Sequence, residues 1–490
     1  MNVSRRAFLA GGSAAVFVSG CRTLEWFGAP NLTFGVVSDI HVTTPDSVAL
    51  FEASLRYFKR RGVDAVMVPG DLTDWGLKSS LRYVKEAWDR VFGGTEVVPL
   101  ICTGNHDYGG WGYGDMTMEM HANGYSEEDS MADRRDGCKN SRAGVARAWE
   151  EIFGESFADV RLRTVKGYDF VSCEYDGSAG LADWMRAHRG RLSGAKPFFF
   201  FQHLPVKGTT SDSFGWADNG VTKPILDSFS NCISFNGHTH RPFTDERLIW
   251  QGRFTQISIP SLSYASAPPG HENGNGPRNG TSCQAMPKIP TRRDLRGGQG
   301  FVVSVFDEKM VVERLDLEES GVEGAPAWIV PLKDRASLWS LPAWMAGAKP
   351  YDTRRRAAAS VAPQFPEGAS LTLRTRNTEN RTGKWVIVLD CRFPSAVAPK
   401  GERVFDYEVK AVPVDGSPAL EKKFLSPAYA CLPKYEPAEQ RFWFDVAELP
   451  QDVDYRIEVR ALNCFGKASR PLVSPIRRGK PGLGEVTPLK

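Results

Sequence analysis

The sequence predicts an α/β domain followed by an all-β domain, and three patterns lead to this reading. Up to about residue 317, short apolar runs alternate with helices that carry a single apolar stripe. Several of those runs stop at a polar cluster: Ser38-Asp39-Ile40-His41, Pro69-Gly70-Asp71-Leu72-Thr73-Asp74, Gly104-Asn105-His106-Asp107, Gln202-His203-Leu204-Pro205 and Asn236-Gly237-His238-Thr239-His240. After Pro363-Gln364-Phe365-Pro366 the apolar period becomes two, as in half-buried antiparallel strands.

Taken in order, Leu32–Val37 reads as a strand. A helix follows, with Val48, Phe51, Leu55 and Phe58 on one face. Ala65–Val68 is a second buried strand, and the next helix presents Leu77, Leu81, Val84, Trp88 and Val91. The third strand, Val97–Ile101, opens into Cys102-Thr103-Gly104-Asn105-His106-Asp107. Residues 108–142, with Trp111, Tyr113 and His121, are too long for a simple connection and suit a loop over a site. A helix at 143–153, a strand at 169–175 and a helix at 182–191 come next. Strands at 197–201 and 232–235, a second long loop at 266–298 and a hairpin of 300–306 with 310–317 complete the domain.

Composition narrows the function class. With 490 residues, two domains are expected. The formal net charge is +3, and Arg5 and Arg6 account for two of these charges, so nothing calls for nucleic acid. Ser4-Arg5-Arg6-Ala7-Phe8-Leu9 before a short Ala/Gly-rich run resembles a twin-arginine export signal, and Val18-Ser19-Gly20-Cys21 resembles a lipoprotein lipobox. Residues 1–21 are therefore expected to direct export to the periplasm or cell envelope, with membrane attachment through a lipidated Cys21. No other stretch reaches spanning length. Cys102, Cys173 and Cys232 fall in apolar runs and read as core residues. Cys138 and Cys283 fall in loops and could pair. No C-x-x-C spacing exists, which argues against a thiolate zinc site.

Asp39, His41, Asp71, Asn105, His203, His238 and His240 all follow predicted strands, so one sheet edge could gather them. Carboxylate, amide and imidazole together suit manganese, iron or zinc and not calcium. Two such ions can clamp the attacking and leaving oxygens of a phosphoryl transfer. A hydroxide between them would be the nucleophile, and a carboxylate is the side chain able to bridge them.

Asp39-x-His41, Gly70-Asp71…Asp74, Gly104-Asn105-His106-Asp107, His203 and Gly237-His238-x-His240 occur in an order that resembles the calcineurin-like metallophosphoesterases, over residues 31–317. The resemblance implies a four-layer α-β-β-α sandwich and a dinuclear metal site. It implies one ion on Asp39, His41 and His240, and a second on Asn105, His203 and His238, with Asp71 between them. His106 would stabilise or protonate the leaving oxygen. Asp74 would orient His106, with Asp107 as competitor for that role. His121, His188 and His271 match no block.

Departures narrow the branch. Asp74 stands where purple acid phosphatases have a tyrosine ligand, and Trp75 and Asp107 stand where serine/threonine phosphatases have Arg and Glu. The acidic pair that follows Asn-His in nucleotidases is absent as well. Gly70–Gly76 with Gly-His-Thr-His looks more like the class III cyclic-nucleotide phosphodiesterase branch, which acts on phosphomonoesters and diesters. The loops at 108–142 and 266–298 are expected to select a small phosphorylated substrate, with Trp111, Tyr113 and Tyr264 as candidate contacts.

Residues 318–360 read as a packing segment and linker. Residues 361–478 resemble a fibronectin type III β-sandwich, most closely in Leu449…Tyr455-Arg456-Ile457-Glu458-Val459-Arg460-Ala461, where Tyr455 occupies the tyrosine-corner position. Residues 479–490 read as a solvated tail. The competing expectation is a non-catalytic surface binding protein that uses this sandwich, with a structural metal site.

Overall fold

Alternating side chains divide the apolar runs of the first domain between two faces. Phe34, Ala65 and Met67 enter one buried cluster, while Val37, Val66 and Val68 enter another with Phe51, Leu55, Phe58, Leu81, Val84 and Trp88. The run Phe198–Phe201 splits likewise, with Phe199 and Phe201 in the first cluster and Phe198 and Phe200 in a third. The computed structural model describes residues 28–109, 141–211, 215–266, 268, 270–273, 297–318, 320–333, 353–379, 384–399, 402–429 and 437–478.

One six-stranded sheet contains β1 (Leu32–Val36), β2 (Ala65–Pro69), β3 (Val98–Cys102), β10 (Gln299–Val305), β11 (Lys309–Asp316) and β12 (Val322–Pro331). Its order is β12-β11-β10-β1-β2-β3, with β1, β2 and β3 parallel. The other contains β4 (Val160–Val165), β5 (Tyr168–Cys173), β6 (Phe198–Phe201), β7 (Cys232–Asn236), β8 (Ile249–Gln251) and β9 (Thr255–Ser258). Its order is β4-β5-β6-β7-β9-β8, with β5, β6, β7 and β9 parallel. Both sheets supply the shared core. Phe34 from one sits 5.3 Å from Phe170, 5.1 Å from Phe199 and 6.0 Å from Phe235 of the other, each edge to face.

Helices α1 (Ala49–Arg60), α2 (Lys78–Phe92) and α3 (Arg142–Phe153) supply the second cluster. Helix α4 (Leu181–Ala187) packs with the third, followed by the short α5 (Arg189–Leu192) and α6 (Thr222–Leu226). The single helix expected over 182–191 is thus broken. His188 turns its ring onto Trp184, 3.8 Å between centroids, and its Nδ1 bonds the Trp184 carbonyl, which ends α4 there.

Strands β4, β8, β9 and β12 were not among the expected elements. β4 alternates Arg161 and Arg163 with Leu162, and β8 and β9 are only three and four residues long, so their apolar signal is weak. β12 lies in the segment read as packing and linker; it extends the first sheet, where Trp328 is fully buried. Buried Arg314 donates to Glu246 Oε1 at 2.7 Å, and Trp328 Nε1 donates to Glu246 Oε2 at 3.1 Å, which ties this edge to the segment after His240.

After α7 (Thr353–Ala359), residues 372–473 form two all-β sheets. The three-stranded one has the order β13 (Thr372–Glu379), β14 (Trp385–Pro394), β17 (Glu439–Asp445). The four-stranded one runs β16 (Leu420–Leu425), β15 (Asp406–Pro413), β18 (Tyr455–Leu462), β19 (Leu472–Val473). Leu389, Phe393 and Phe442 from the first sheet share a core with Tyr407, Phe424, Ile457 and Val459 from the second. This domain rests on the first. Thr244 Oγ1 donates to the Tyr429 carbonyl, the Tyr429 hydroxyl donates to Asp245 Oδ2 at 3.1 Å, and Arg403 donates to the Gly324 carbonyl at 2.9 Å.

Cys102, Cys173, Cys232 and Cys391 are buried, and Cys464 is half-buried. Cys138, Cys283, Cys431, Trp111, Tyr113, His121, the signal segment 1–21 and the tail 479–490 lie outside the described residues. Among the described residues no helix is long and apolar enough to cross a membrane.

Candidate metal centre

The parallel strands β1, β2, β3, β6 and β7 end at one edge, where their following turns meet. Asp39 N donates to the Gly70 carbonyl, His41 N to the Asp71 carbonyl, and Gly237 N to the His203 carbonyl. Three glycines make this convergence possible. A Cβ on Gly104 would lie 2.2 Å from Asp71 Oδ1, one on Gly237 would lie 2.5 Å from Asp39 Oδ2, and one on Gly70 would lie 2.5 Å from His203 Nδ1. Each Gly of the sequence blocks therefore makes room for a polar side chain of a different block.

Three groups of donors result: His41, Asp74 and His106 form one, and the other two share Asp71. Asp39, His41, Asp71 and His240 offer ligand atoms within 4.8 Å of one another, and so do Asp71, His203 and His238. Asp71 belongs to both. His203 Nε2 is 3.2 Å from Asp71 Oδ2 and 2.9 Å from Asn105 Oδ1, which adds Asn105 to the second group. His41 Nε2 is 3.6 Å from Asp71 Oδ2, and His240 Nε2 is 3.0 Å from Asp39 Oδ1. All seven residues singled out as ligands are thus brought together.

The imidazoles are oriented as metal ligands would be. Nδ1 of His41 bonds Asp74 Oδ1 at 2.8 Å, Nδ1 of His203 bonds the Pro69 carbonyl at 2.9 Å, and Nδ1 of His240 bonds the Tyr264 carbonyl at 3.1 Å. Each contact places the proton on Nδ1 and leaves the Nε2 lone pair facing inward. The Nε2 atoms of His41 and His240 then face each other at 3.2 Å, and His203 Nε2 faces His238 Nδ1 at 3.2 Å. Converging lone pairs beside two buried carboxylates require positive charge, so the residues present fit a pair of cations.

The carboxylates and imidazoles also shift one another's titration. Burial lowers the His203 imidazole, but the Asp71 and Asp39 carboxylates outweigh it and raise the group to about 9. Burial would raise Asp39, yet His240 and His203 bring it down to about 2; Asp71 is driven below the carboxylate range against its burial by His203, His41 and His106. Burial and the neighbouring His203 push His238 down to about 3.

Asp74 and Asp107 have different jobs. His106 Nδ1 lies 2.9 Å from the Asp74 carbonyl and 3.2 Å from Asp74 Oδ1, so Asp74 faces both His106 and His41. Asp107 points away from His106. Its carboxylate accepts from the amides of Leu72, Thr73 and Gly104 and from the Thr73 hydroxyl, and so fixes the turn that carries Asp71. Burial is outweighed at His106 by Asp74 and Asp71, which raise its imidazole to about 9.

Sequence reasoning missed other contributors. Glu174 accepts from the amide and hydroxyl of Thr103, both at 2.7 Å, and pairs with Arg161 at 2.5 Å, which steadies the Asn105 turn. Trp216, half exposed, lies 5.9 Å from the His238 ring. Tyr264, one of the expected substrate contacts, lies 4.3 Å from the His240 ring and 5.4 Å from that of His41. For Trp216 the available signal was an aromatic residue beside Gly215 in a polar stretch between apolar runs.

The fold and site define a two-sheet α/β domain with a buried Asp/His cluster of the kind that holds two metal ions. Residues 32–242, which contain all seven ligand-type side chains and His106, match the family model described as calcineurin-like phosphoesterase. No curated protein matches the chain. Among solved structures it is similar to a dimetal phosphatase from Danio rerio, at 12% identity and a TM-score of 0.38, over 62% of this chain and 100% of that one. The purple acid phosphatase PPD1 from yellow lupin (Lupinus luteus) seeds also gives 12% and 0.38, over 62% of this chain and 55% of that one. GAP50, the anchor in the inner membrane complex of Plasmodium, gives 10% and 0.34, over 62% of this chain and 89% of that one.

Proposed function

We propose that this protein hydrolyses a small phosphate mono- or diester at a dinuclear metal centre. The observation that carries the reading is the sharing of Asp71 between two donor groups. Asp39, His41 and His240 would hold one ion and Asn105, His203 and His238 the other, with Asp71 within reach of both groups. Two manganese, iron or zinc ions bound there would supply Lewis acidity and activate water. The protein's own residues do the rest. Asp74 fixes the ring of His106 through Nδ1, so that Nε2 is the atom able to give a proton to the leaving oxygen. Asp74 also fixes His41 in the tautomer that a metal ligand needs. Asp107 holds the Asp71 turn in register.

The finer readings have their own support. Separate apolar clusters on the two sides of a shared core support the four-layer α-β-β-α arrangement. Asp74-Trp75 and Gly-His-Thr-His support the class III phosphodiesterase-like branch. The sheet orders β13-β14-β17 and β16-β15-β18-β19, with buried Tyr455 opening β18, support a fibronectin type III-like sandwich. Trp216 and Tyr264, flanking the two donor groups, give an organic part of the substrate aromatic surfaces to rest on. The twin-arginine and lipobox patterns of residues 1–21 support export and attachment through Cys21.

Metal analysis combined with phosphomonoester and phosphodiester assays tests the function. Two metals per chain and activity lost in Asp71→Asn and His238→Ala are expected. Wild-type turnover in either variant sinks the assignment.

A further inference from the structure

One segment fastens the backbone around two of the ligands. Ser261 Oγ and Ser263 N donate to the Asp39 carbonyl at 3.1 and 3.2 Å, and Leu262 N donates to the Ser38 carbonyl at 2.9 Å. Farther along, the Tyr264 carbonyl accepts His240 Nδ1 at 3.1 Å, Ser266 N donates to the His240 carbonyl at 2.8 Å, and Ser266 Oγ donates to the Thr239 carbonyl at 2.7 Å. Asp39 and His240 belong to the same donor group. Asn105 and His203 are held differently, through Glu174 and Asp107 on the Asn105 turn and through the Pro69 carbonyl, while His238 N donates to both Asp39 carboxylate oxygens at 3.0 and 3.1 Å.

A few residues later the same segment bonds to the C-terminal domain. His271 Nε2 meets Asp406 Oδ1 at 2.5 Å, and both residues are more than nine-tenths buried. Glu272 N donates to the Lys423 carbonyl at 2.7 Å. The Asn273 side-chain amide exchanges two bonds with the backbone of Leu425, at 2.9 and 2.7 Å, as a neighbouring strand would. Polar contacts removed from water resist loss, because a single partner removed leaves the other buried and unsatisfied.

We infer that the C-terminal domain is a working part of the metal centre. Through Asp406 and the Leu425 backbone it anchors residues 270–273, and the 261–266 stretch ahead of them sets the geometry of Asp39 and His240 directly, and that of Asn105 and His203 not at all. Asp406 is a positioning residue that acts through His271. The inference rests on the two-metal reading above and adds to it an asymmetry: the Asp39–His41–His240 site would be tied to the second domain directly, the Asn105–His203–His238 site only through the His238–Asp39 contact. The second domain is then no spacer, since loosening it opens one half of the site.

The test is calorimetric titration of metal-free, full-length protein with Mn²⁺, alongside thermal melts. His240→Ala and Asn105→Ala identify which binding step belongs to which group. Asp406→Ala and, independently, Asn273→Ala are expected to weaken the step lost in His240→Ala by about tenfold, the low end for partners that orient ligands. The other step stays within twofold, and Asp406→Asn, which keeps an oxygen for His271 Nε2, restores most of the loss. Equal weakening of both steps, or no change in either, overturns the inference while leaving the two-metal reading intact. Wild-type protein that takes up no Mn²⁺ overturns that reading and this inference with it.

Discussion

The buried carboxylate of Asp107 accepts both the amide and the hydroxyl of Thr73, at 2.9 and 3.0 Å. The acid that closes the Asn-His-Asp turn thereby serves the neighbouring turn, two residues beyond Asp71. Asp107→Ala strands these donors and the amides of Leu72 and Gly104. Unsatisfied buried donors cost about 1–3 kcal/mol each, so denaturant melts should show a loss of at least about 3 kcal/mol, with metal retention also impaired. A variant as stable as wild type contradicts the role given to Asp107.

Leaving-group dependence separates the roles of His106 and Asp71. If His106 gives a proton to the departing oxygen, His106→Ala should lower kcat by about 10²–10⁴-fold on alkyl phosphates. The loss should be far smaller on nitrophenyl phosphates, whose leaving group departs unaided, and both metals should remain bound. A uniform loss across leaving groups would remove His106 from proton transfer.

Adding one methyl group should empty the site without unfolding the domain. A Cβ on Gly104 meets Asp71 Oδ1 and the Asp71 amide at 2.2 and 2.3 Å, a clash with backbone that cannot be relieved by rotation. Gly104→Ala is expected to retain its far-ultraviolet circular dichroism and to lose most of its bound metal by elemental analysis. Full metal content in Gly104→Ala would show the turn to be more compliant than its packing implies.

Interdomain docking should depend on acid pH. Burial would raise the Asp245 carboxyl, but Arg247, at 2.7 Å, and the Tyr429 hydroxyl hold it below its ordinary 3.8. A folded-state pKa below the unfolded one gives stability that is complete above pH 3.8 and is lost as pH falls through the folded value. The Tm difference between wild type and Asp245→Asn should therefore be largest near neutrality and shrink below pH 3.8. A gap that does not change with pH would exclude the charged pair as its source.

Much of this molecule is legible in its sequence because parallel strands are buried on both faces and end in the crevice that carries the chemistry. Ala65–Val68 and Phe198–Phe201 are continuous apolar runs, so their ends, and Asp71 and His203 with them, can be placed without coordinates. β4 is not legible, since Arg161 and Arg163 face the polar partners Glu174 and Glu155 and interrupt the apolar pattern. The division of labour between Asp74 and Asp107 also escapes, because Asp107 adjoins His106 in sequence while Asp74 lies 32 residues before it, and only the direction of each side chain tells which one faces the ring. The contacts of residues 261–266 and 270–273 mix main-chain amides and carbonyls with the side chains of Ser261, Ser266, His271 and Asn273, which follow no spacing that a sequence motif would show.

Asp39, His41, Asp71, His238 and His240 all have left-handed backbone, with φ between 47° and 72°. Non-glycine residues in that region cost about 1 kcal/mol each, so five of them hold free energy on the order of the whole net stability of an ordinary domain. The catalytic centre is then the place this chain would most readily trade for sturdiness. Replacing His240 by glycine relieves the torsion while removing a ligand, and an inactive protein that melts at a higher temperature than the active one would be the outward sign of that conflict.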